Sequence, residues 1–500
     1  MKPLKGLPPL PLLLALTGCV SMAPRYRTPE PPLPKAWPEG PSYTAGAAGP
    51  LASGIAWQDF YVDEGLRKVL DLTLRNNRDL RIAALNTEKA RAYYRIQRAE
   101  LLPSVNAAGQ GFKERLPASV SSTGRSMIVE QDAATVGISA WELDFFGRIR
   151  SLKNRALEQY LATEQARDSA QISLLGGVAN LYLALAADRE GLKLAQDTLA
   201  SQEISSRLIR QRFEVGVSSE IDALRARVGL ETARGDVARY TRAVALDVNA
   251  LNLLVGTPVP PELLPTALGS VTALKDIAPG LPSDVLTGRP DILLAEHQLK
   301  AANANIGAAR AAFFPRISLT TSTGSMASEL SGLFKSGSET WIFAPQIVLP
   351  IFDTGARRAN LKVANVDRDI ALAQYERAIQ VAFREVADAL AQRGTLDDQL
   401  AAQESLTQAM DKTYQLASAR YRAGLDGYLS VLDAQRSLYA VQQGLIGLRL
   451  AKYGNLVTLY KVLGGGHPGR TPSGPSPDPG PRPPASPTGS PGPEAGPHKE

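Results

Sequence analysis

The sequence predicts a mainly α-helical chain with a membrane β-barrel part, built as two internal repeats that each pair a long αα-hairpin with two β-strands. Three observations carry this expectation. Of 36 prolines in 500 residues, 12 lie in residues 1–50 and 12 in residues 464–500, and none falls in 118–257 or 351–467. Proline inside a helix costs roughly 3 kcal/mol, so such runs permit very long helices. The chain also repeats: Arg212-Phe213-x-x-Gly216…Leu224-x-Ala226…Leu230 returns 208 residues later as Arg420-Tyr421-x-x-Gly424…Leu432-x-Ala434…Leu438. A period this long is not a solenoid's; it marks a two-repeat protomer. Finally, alternating apolar residues in Trp341–Ile351 give a strand of about ten residues, the length of a tilted transmembrane β-strand.

The elements follow in order. Residues 1–18 read as a secretory signal, with Lys2 and Lys5 ahead of a short Leu/Pro-rich stretch. Leu16-Thr17-Gly18-Cys19 resembles a bacterial lipobox, so Cys19 is expected to become a lipid-bearing N-terminus carrying acyl chains such as palmitate. Val20 follows where an Asp would signal inner-membrane retention, which points to outer-membrane sorting. Residues 19–58 form an extended tether, because prolines at 24, 29, 31, 32, 34, 38, 41 and 50 forbid a helix. The first repeat spans 59–256: a helix up to Leu102-Pro103, a β-hairpin at about 104–143, and a long αα-hairpin at 148–256 broken at Val215-Gly216-Val217-Ser218-Ser219. Roughly 65 helical residues extend about 100 Å, longer than a globular core needs, so a coiled-coil tube is expected. Residues 257–281 link the halves. The second repeat, 282–463, has a helix up to Phe314-Pro315, a β-hairpin at about 316–351 and an αα-hairpin at 355–463 broken at Ala423-Gly424-Leu425-Asp426-Gly427. Residues 464–500 read as a Pro/Gly-rich disordered tail.

Residues 169–187 carry no charge over nearly a membrane-spanning length. The equivalent slot of the second repeat holds Arg384, Glu385 and Asp388, which favours a packed stretch of tube wall.

Composition excludes much chemistry. One cysteine allows no internal disulfide, and only His297 among three histidines lies outside the C-terminal tail. No nucleophile, base and metal set converges, no cofactor is expected, and the chain does not read as an enzyme. A net charge of +6 without a dense basic tract gives no case for nucleic acid.

Several motifs, in order, resemble the TolC-type outer-membrane efflux family and its lipoprotein branch. They are the lipobox, Trp141-Glu142-Leu143-Asp144-Phe145-Phe146-Gly147-Arg148, Gly288-Arg289-Pro290-Asp291-Ile292, Ala308-Ala309-Arg310-Ala311-Ala312-Phe313-Phe314-Pro315 and Arg420-Tyr421-x-x-Gly424. The resemblance implies a homotrimer with a 12-stranded β-barrel and a periplasmic α-barrel. It would sit in the outer membrane, barrel-inserted and lipid-anchored, as a passive exit duct. Its partners would be a periplasmic adaptor, an inner-membrane pump of the RND type and outer-membrane lipid. The physical reading agrees, since four strands cannot close a membrane barrel alone. The resemblance further implies adaptor contacts at Val215, Gly216, Val217, Ala423, Gly424 and Leu425, and an aperture at Leu429 and Asp433 with Tyr421 in its holding network. Asp426 stands where the family's prototype has an Arg. The competing reading is a secreted coiled-coil envelope spacer without a pore; the two strand pairs speak against it.

Overall fold

The computed structural model describes residues 21–34, 36–43, 51–271, 274, 277–280 and 286–466. The signal segment, Cys19 and the tail from 467 lie outside the described residues, as does part of the inter-repeat linker. After a single helical turn at Trp57–Phe60 come two helices, α1 (Glu64–Asn76) and α2 (Arg78–Ala99). Asp63 and Asn77 cap them, accepting from Leu66 N and Leu80 N at 2.8 and 2.7 Å. Strands β1 (Val105–Leu116) and β2 (Met127–Glu142) follow, then helices α3 (Arg148–Glu214) and α4 (Glu220–Val255). The second half repeats the order with α5 (Pro290–Ala311), β3 (Arg316–Ala327), β4 (Glu339–Val348), α6 (Ala356–Arg422) and α7 (Tyr428–Val462).

Helices α3 and α6 are each 67 residues long, about 100 Å at 1.5 Å per residue. Each leaves a glycine with positive φ, Gly147 at 74° and Gly355 at 92°. Asp144 and Asp353 then accept from the first free helix N–H groups, at Ile149 and Arg150 and at Gly355 and Arg357. Residues 169–187 sit within α3; Leu175, Val178, Ala179, Leu183, Leu185 and Ala186 there are buried against other helices. Their apolar character therefore serves packing inside the described chain.

The main core lies where α1, the C-terminal ends of α4 and α7 and the start of α5 pack on the middle stretches of α3 and α6. Tyr460 stacks on Phe60 with ring centroids 3.9 Å apart and donates to Ile55 O at 2.7 Å. Arg289 of the Gly-Arg-Pro-Asp motif is buried there. Its guanidinium bridges Asp291 and Glu385 at 2.6 and 2.8 Å and donates to Val462 O, pinning the start of α5 to α6 and the end of α7. Gly464–Gly466, grouped with the tail by composition, instead close α7 and pack on Tyr460.

Residues 21–34 do not hang free. This strap runs along α5: Asn303 Nδ2 donates to Pro24 O at 2.8 Å, Tyr26 donates to Glu296 at 3.2 Å, and Arg310 donates to Met22 O at 3.3 Å. Lower down, Trp37 stacks on Phe383 at 5.1 Å.

The four strands make one antiparallel sheet in the order β1-β2-β3-β4, so the central seam joins the two repeats. Register sorts the side chains. Val105, Val136, Ile138, Ile317, Leu319, Phe343 and Ile347 share one face, while Asn106, Gln110, Thr135, Ser318, Thr320 and Gln346 share the other. An apolar and a polar face on one sheet is the pattern of a barrel with lipid outside and water inside. At the β2–β3 seam a Cβ on Gly137 or Gly324 would lie 2.2 or 2.1 Å from a carbonyl oxygen of the neighbouring strand, so only glycine allows that approach. Both outer edges, on β1 and β4, are unpaired in the single chain.

Candidate functional site

The far end of the helices forms a tip made from two turns of the same design. Gly216 N donates to Phe213 O and Val217 N to Arg212 O, at 2.9 and 2.8 Å. In the second turn Gly424 N donates to Tyr421 O and Leu425 N to Arg420 O, both at 3.0 Å. This pairing satisfies the last carbonyls of a helix through a left-handed residue, which glycine adopts without strain; φ is 78° at Gly216 and 73° at Gly424. Val215, Gly216, Val217, Ala423, Gly424 and Leu425 are all exposed, with Val215, Val217 and Leu425 at 73, 64 and 67%. The tip therefore presents apolar side chains on two rigid turns.

Behind the turns, Ile209, Ala226, Tyr428, Val431 and Leu432 form a small buried core that ties α3, α4 and α7 together. Tyr421 packs against it, with its ring 5.5 Å from that of Tyr428. Burial pushes the Tyr428 phenol up to about 12. Arg212 Nη1 donates to Tyr421 Oη at 3.0 Å, and its guanidinium carbon lies 5.3 Å from the Tyr421 ring centre. Asp426 pairs with Arg420 through two bonds of 2.6 and 3.0 Å, and that pairing holds its carboxyl below the usual range. The position that departs from the family pattern is thus engaged within its own turn.

Leu429 and Asp433 stand one helical turn apart on α7, both exposed, so they project on one side of the helix. Asp433 makes no hydrogen bond or ion pair among the described residues, with Arg436 or any other side chain. His297 is occupied structurally, its Nδ1 lying 2.7 Å from Glu158 Oε2. Among the described residues no group of three or more His, Cys, Asp or Glu side chains could hold a metal ion.

Two polar features escaped sequence reasoning. Gln202 on α3 and Gln435 on α7 are buried and bonded to each other at 3.0 Å. Asp188 on α3 and Asp247 on α4 face each other; burial and the Asp188 carboxyl push Asp247 up to about 6. Neither pair has a local signal, because the partners lie 233 and 59 residues apart. Arg212 was visible only as part of the repeat motif.

At the opposite end, where helices meet the sheet, Glu142 is clamped between Arg148 and Arg316 at 2.8 and 2.6 Å. Phe146 stacks on Phe314 with centroids 4.8 Å apart. This neck fixes the polar face of the sheet over the helical part.

The profile of the outer membrane efflux protein family matches residues 69–257 and 281–465. The toluene efflux pump outer membrane protein TtgC of Pseudomonas putida is 50% identical over 452 residues, covering 90% of this chain and 93% of the relative. Outer membrane protein OprJ of Pseudomonas aeruginosa is 44% identical over 457 residues, covering 91% and 95%. Among solved structures, the open-state MtrE outer membrane channel of Neisseria gonorrhoeae superposes with a TM-score of 0.82 at 37% identity, covering 89% of this chain and 98% of that one. A membrane protein of Pseudomonas aeruginosa gives 0.84 at 43% identity, with the same coverage.

Proposed function

The chain belongs to the outer membrane efflux protein family, and from that premise we propose that it is the outer-membrane channel of a tripartite efflux system. It is a passive trimeric duct: an inner-membrane pump and a periplasmic adaptor deliver small molecules, and the channel passes them out. The observation that carries this reading is the sheet with one apolar and one polar face, mounted on helices about 100 Å long. Three chains bring twelve strands, enough to close a barrel, and closure removes the edges that a bilayer does not tolerate. A spacer without a pore has no use for such a sheet. The channel itself catalyses nothing, and energy comes from the pump.

The two relatives of Pseudomonas putida described as toluene and antibiotic efflux components suggest the cargo: apolar solvents and antibiotics. The six exposed tip residues receive the adaptor. Leu429 and Asp433, present three times around the axis, form an apolar and an acidic layer that narrow the aperture, and Tyr421 helps hold the tip closed. Cys19 carries the lipid anchor.

The test is single-channel conductance of the purified protein in a planar bilayer, together with toluene survival of a host lacking its own channel. Ion-conducting steps and restored survival are expected. Absence of any conductance from correctly inserted protein would reject the duct.

A further inference from the structure

We propose that one ordered water is built into the wall behind the tip, bound between α3, α4 and α7 by Gln202, Asp236 and Tyr439, and that it keys α7 of the second repeat to the αα-hairpin of the first. The proposal concerns the interior of a single chain and does not depend on the efflux reading.

Three helices each turn one face to this place. Gln202 comes from α3, Gly229 and Asp236 from α4, and Gln435, Arg436 and Tyr439 from α7. Between them lies a cavity of about 50 Å³. A water takes about 30 Å³ in the liquid, so one fits and an organic ligand does not. Gln202 and Gln435 are only 4 and 7% exposed. Gln202 Nε2 donates to Gln435 Oε1 at 3.0 Å, and Gln435 Nε2 donates onward to Ser201 Oγ at 3.2 Å. Gln202 Oε1 is then left buried with no hydrogen-bond partner among the described residues, and the buried Tyr439 hydroxyl is in the same state. Each unmet polar atom in an interior destabilises the fold. Two of them on one small cavity call for a single group that serves both.

Gly229 makes the room, since a Cβ there would stand 2.8 Å from Gln202 Oε1. Asp236 completes the shell. Burial and the Asp236 carboxylate push the Tyr439 phenol up, so the carboxylate lies near that hydroxyl although no hydrogen bond joins them. The water accepts from the Tyr439 O–H and donates to Gln202 Oε1 and to Asp236; three bonds are usual for a buried water. Charge favours this neutral guest over a cation. Asp236 is already paired with Arg239 at 2.9 Å, and Arg436 stands on the same cavity. Exchanging oxygen and nitrogen in both glutamine amides would turn a donor toward the cavity, and a water serves that arrangement as well.

The site is not a generic feature of these hairpins. At the repeat offset of 208, Gln202, Gly229 and Asp236 correspond to Met410, Ser437 and Gly444, which carry neither the amide nor the carboxylate. The node therefore belongs to the seam between the first hairpin and α7. Arg212, which bonds Tyr421, lies further along the same α3 toward the tip, so the two repeats are fastened at two levels.

The experiment is a crystal structure of the full-length protein at a resolution that shows ordered waters. One isolated density peak is expected within hydrogen-bonding distance of Gln202, Asp236 and Tyr439. It should disappear in Tyr439→Phe. A wild-type map without the peak, or with the Tyr439 hydroxyl bonded directly to Gln202 or Asp236, overturns the proposal. So does a peak that gives a rubidium anomalous signal after potassium is exchanged for rubidium, because the guest is then a cation. Thermal melts of the detergent-solubilised protein supply a second measurement. Tyr439→Phe should lower the melting temperature, and the drop should be about half as large in a Gln202→Leu background, where the water has already lost an anchor. Fully additive shifts would mean that no shared water couples α3 to α7, and they overturn the bridge.

Discussion

Arg212 of the first repeat donates to the Tyr421 hydroxyl of the second at 3.0 Å, whereas its repeat counterpart Arg420 turns back onto Asp426 in its own turn. One arginine therefore ties the two hairpins together, and the other is held in place locally. The hairpins can separate at the tip only by giving up the Arg212–Tyr421 bond.

Replacing Tyr421 with Phe keeps the ring and removes that bond. A half-exposed charged hydrogen bond contributes about 1 kcal/mol, which is about a fivefold shift toward the open tip per chain. Single-channel recordings should show a higher open probability in Tyr421→Phe and in Arg212→Ala. Asp426→Ala, which touches only the local pair, should leave the Arg212 contact intact and change gating less.

The aperture reading predicts two distinct defects. Three Asp433 carboxylates near one axis repel one another and attract cations, so Asp433→Ala should weaken cation selectivity several-fold and relieve block by divalent cations. Leu429→Ser should let water through the apolar layer and raise the resting conductance. Asp397→Ala is the control, since Asp397 lies far up α6 and pairs with Lys452 at 2.7 Å. Equal behaviour of all three variants places the aperture elsewhere.

The Asp188–Asp247 pair makes stability depend on pH. Asp247 is raised from 3.8 to about 6 in the folded chain, so the folded state holds its proton more tightly than the unfolded state does. Stability from this site is complete below about pH 4 and is lost as pH rises through about 6. Asp247→Asn removes the loss, so its melting temperature should exceed wild type at pH 7.5 and converge with it near pH 4. In the second repeat the same position is Asn455, which donates to Ala389 O and Gln392. Thermal melts at the two pH values check the sign.

The strap depends on a missing side chain. A Cβ on Gly307 would stand 2.5 Å from Ser151 Oγ and 2.7 Å from Ala23 N. Gly307→Leu should improve intrinsic helix propensity by up to about 1 kcal/mol and still expel the strap. Trypsin should then cut after Arg25 and Arg27 about tenfold faster than in wild type, with α5 itself intact by circular dichroism.

How much of this was legible depends on the range of the interaction that decides it. The helix-breaking turns were readable because Gly216 and Gly424 bond to carbonyls only three positions away. The polar and apolar faces of β4 were readable because alternation is local to a strand. The repeat made the second half a check on the first. By contrast, nothing near Arg289 in the chain says that it bridges Asp291, Glu385 and Val462 O, and nothing near Tyr26 says that the strap docks on Glu296.

The sequence by itself determined the kinds of element, their order, their duplication and the places where helices must break. Those are properties of backbone propensity and short-range periodicity, written in contiguous residues. Only the tertiary structure decided which side chains meet: that β2 pairs with β3 across the repeats, that Arg212 and not Arg420 reaches Tyr421, and that two half-buried carboxyls meet at 188 and 247. Two repeats with nearly the same local signals become different when packed, because each faces the other from one side only, and the remaining side is left for another chain.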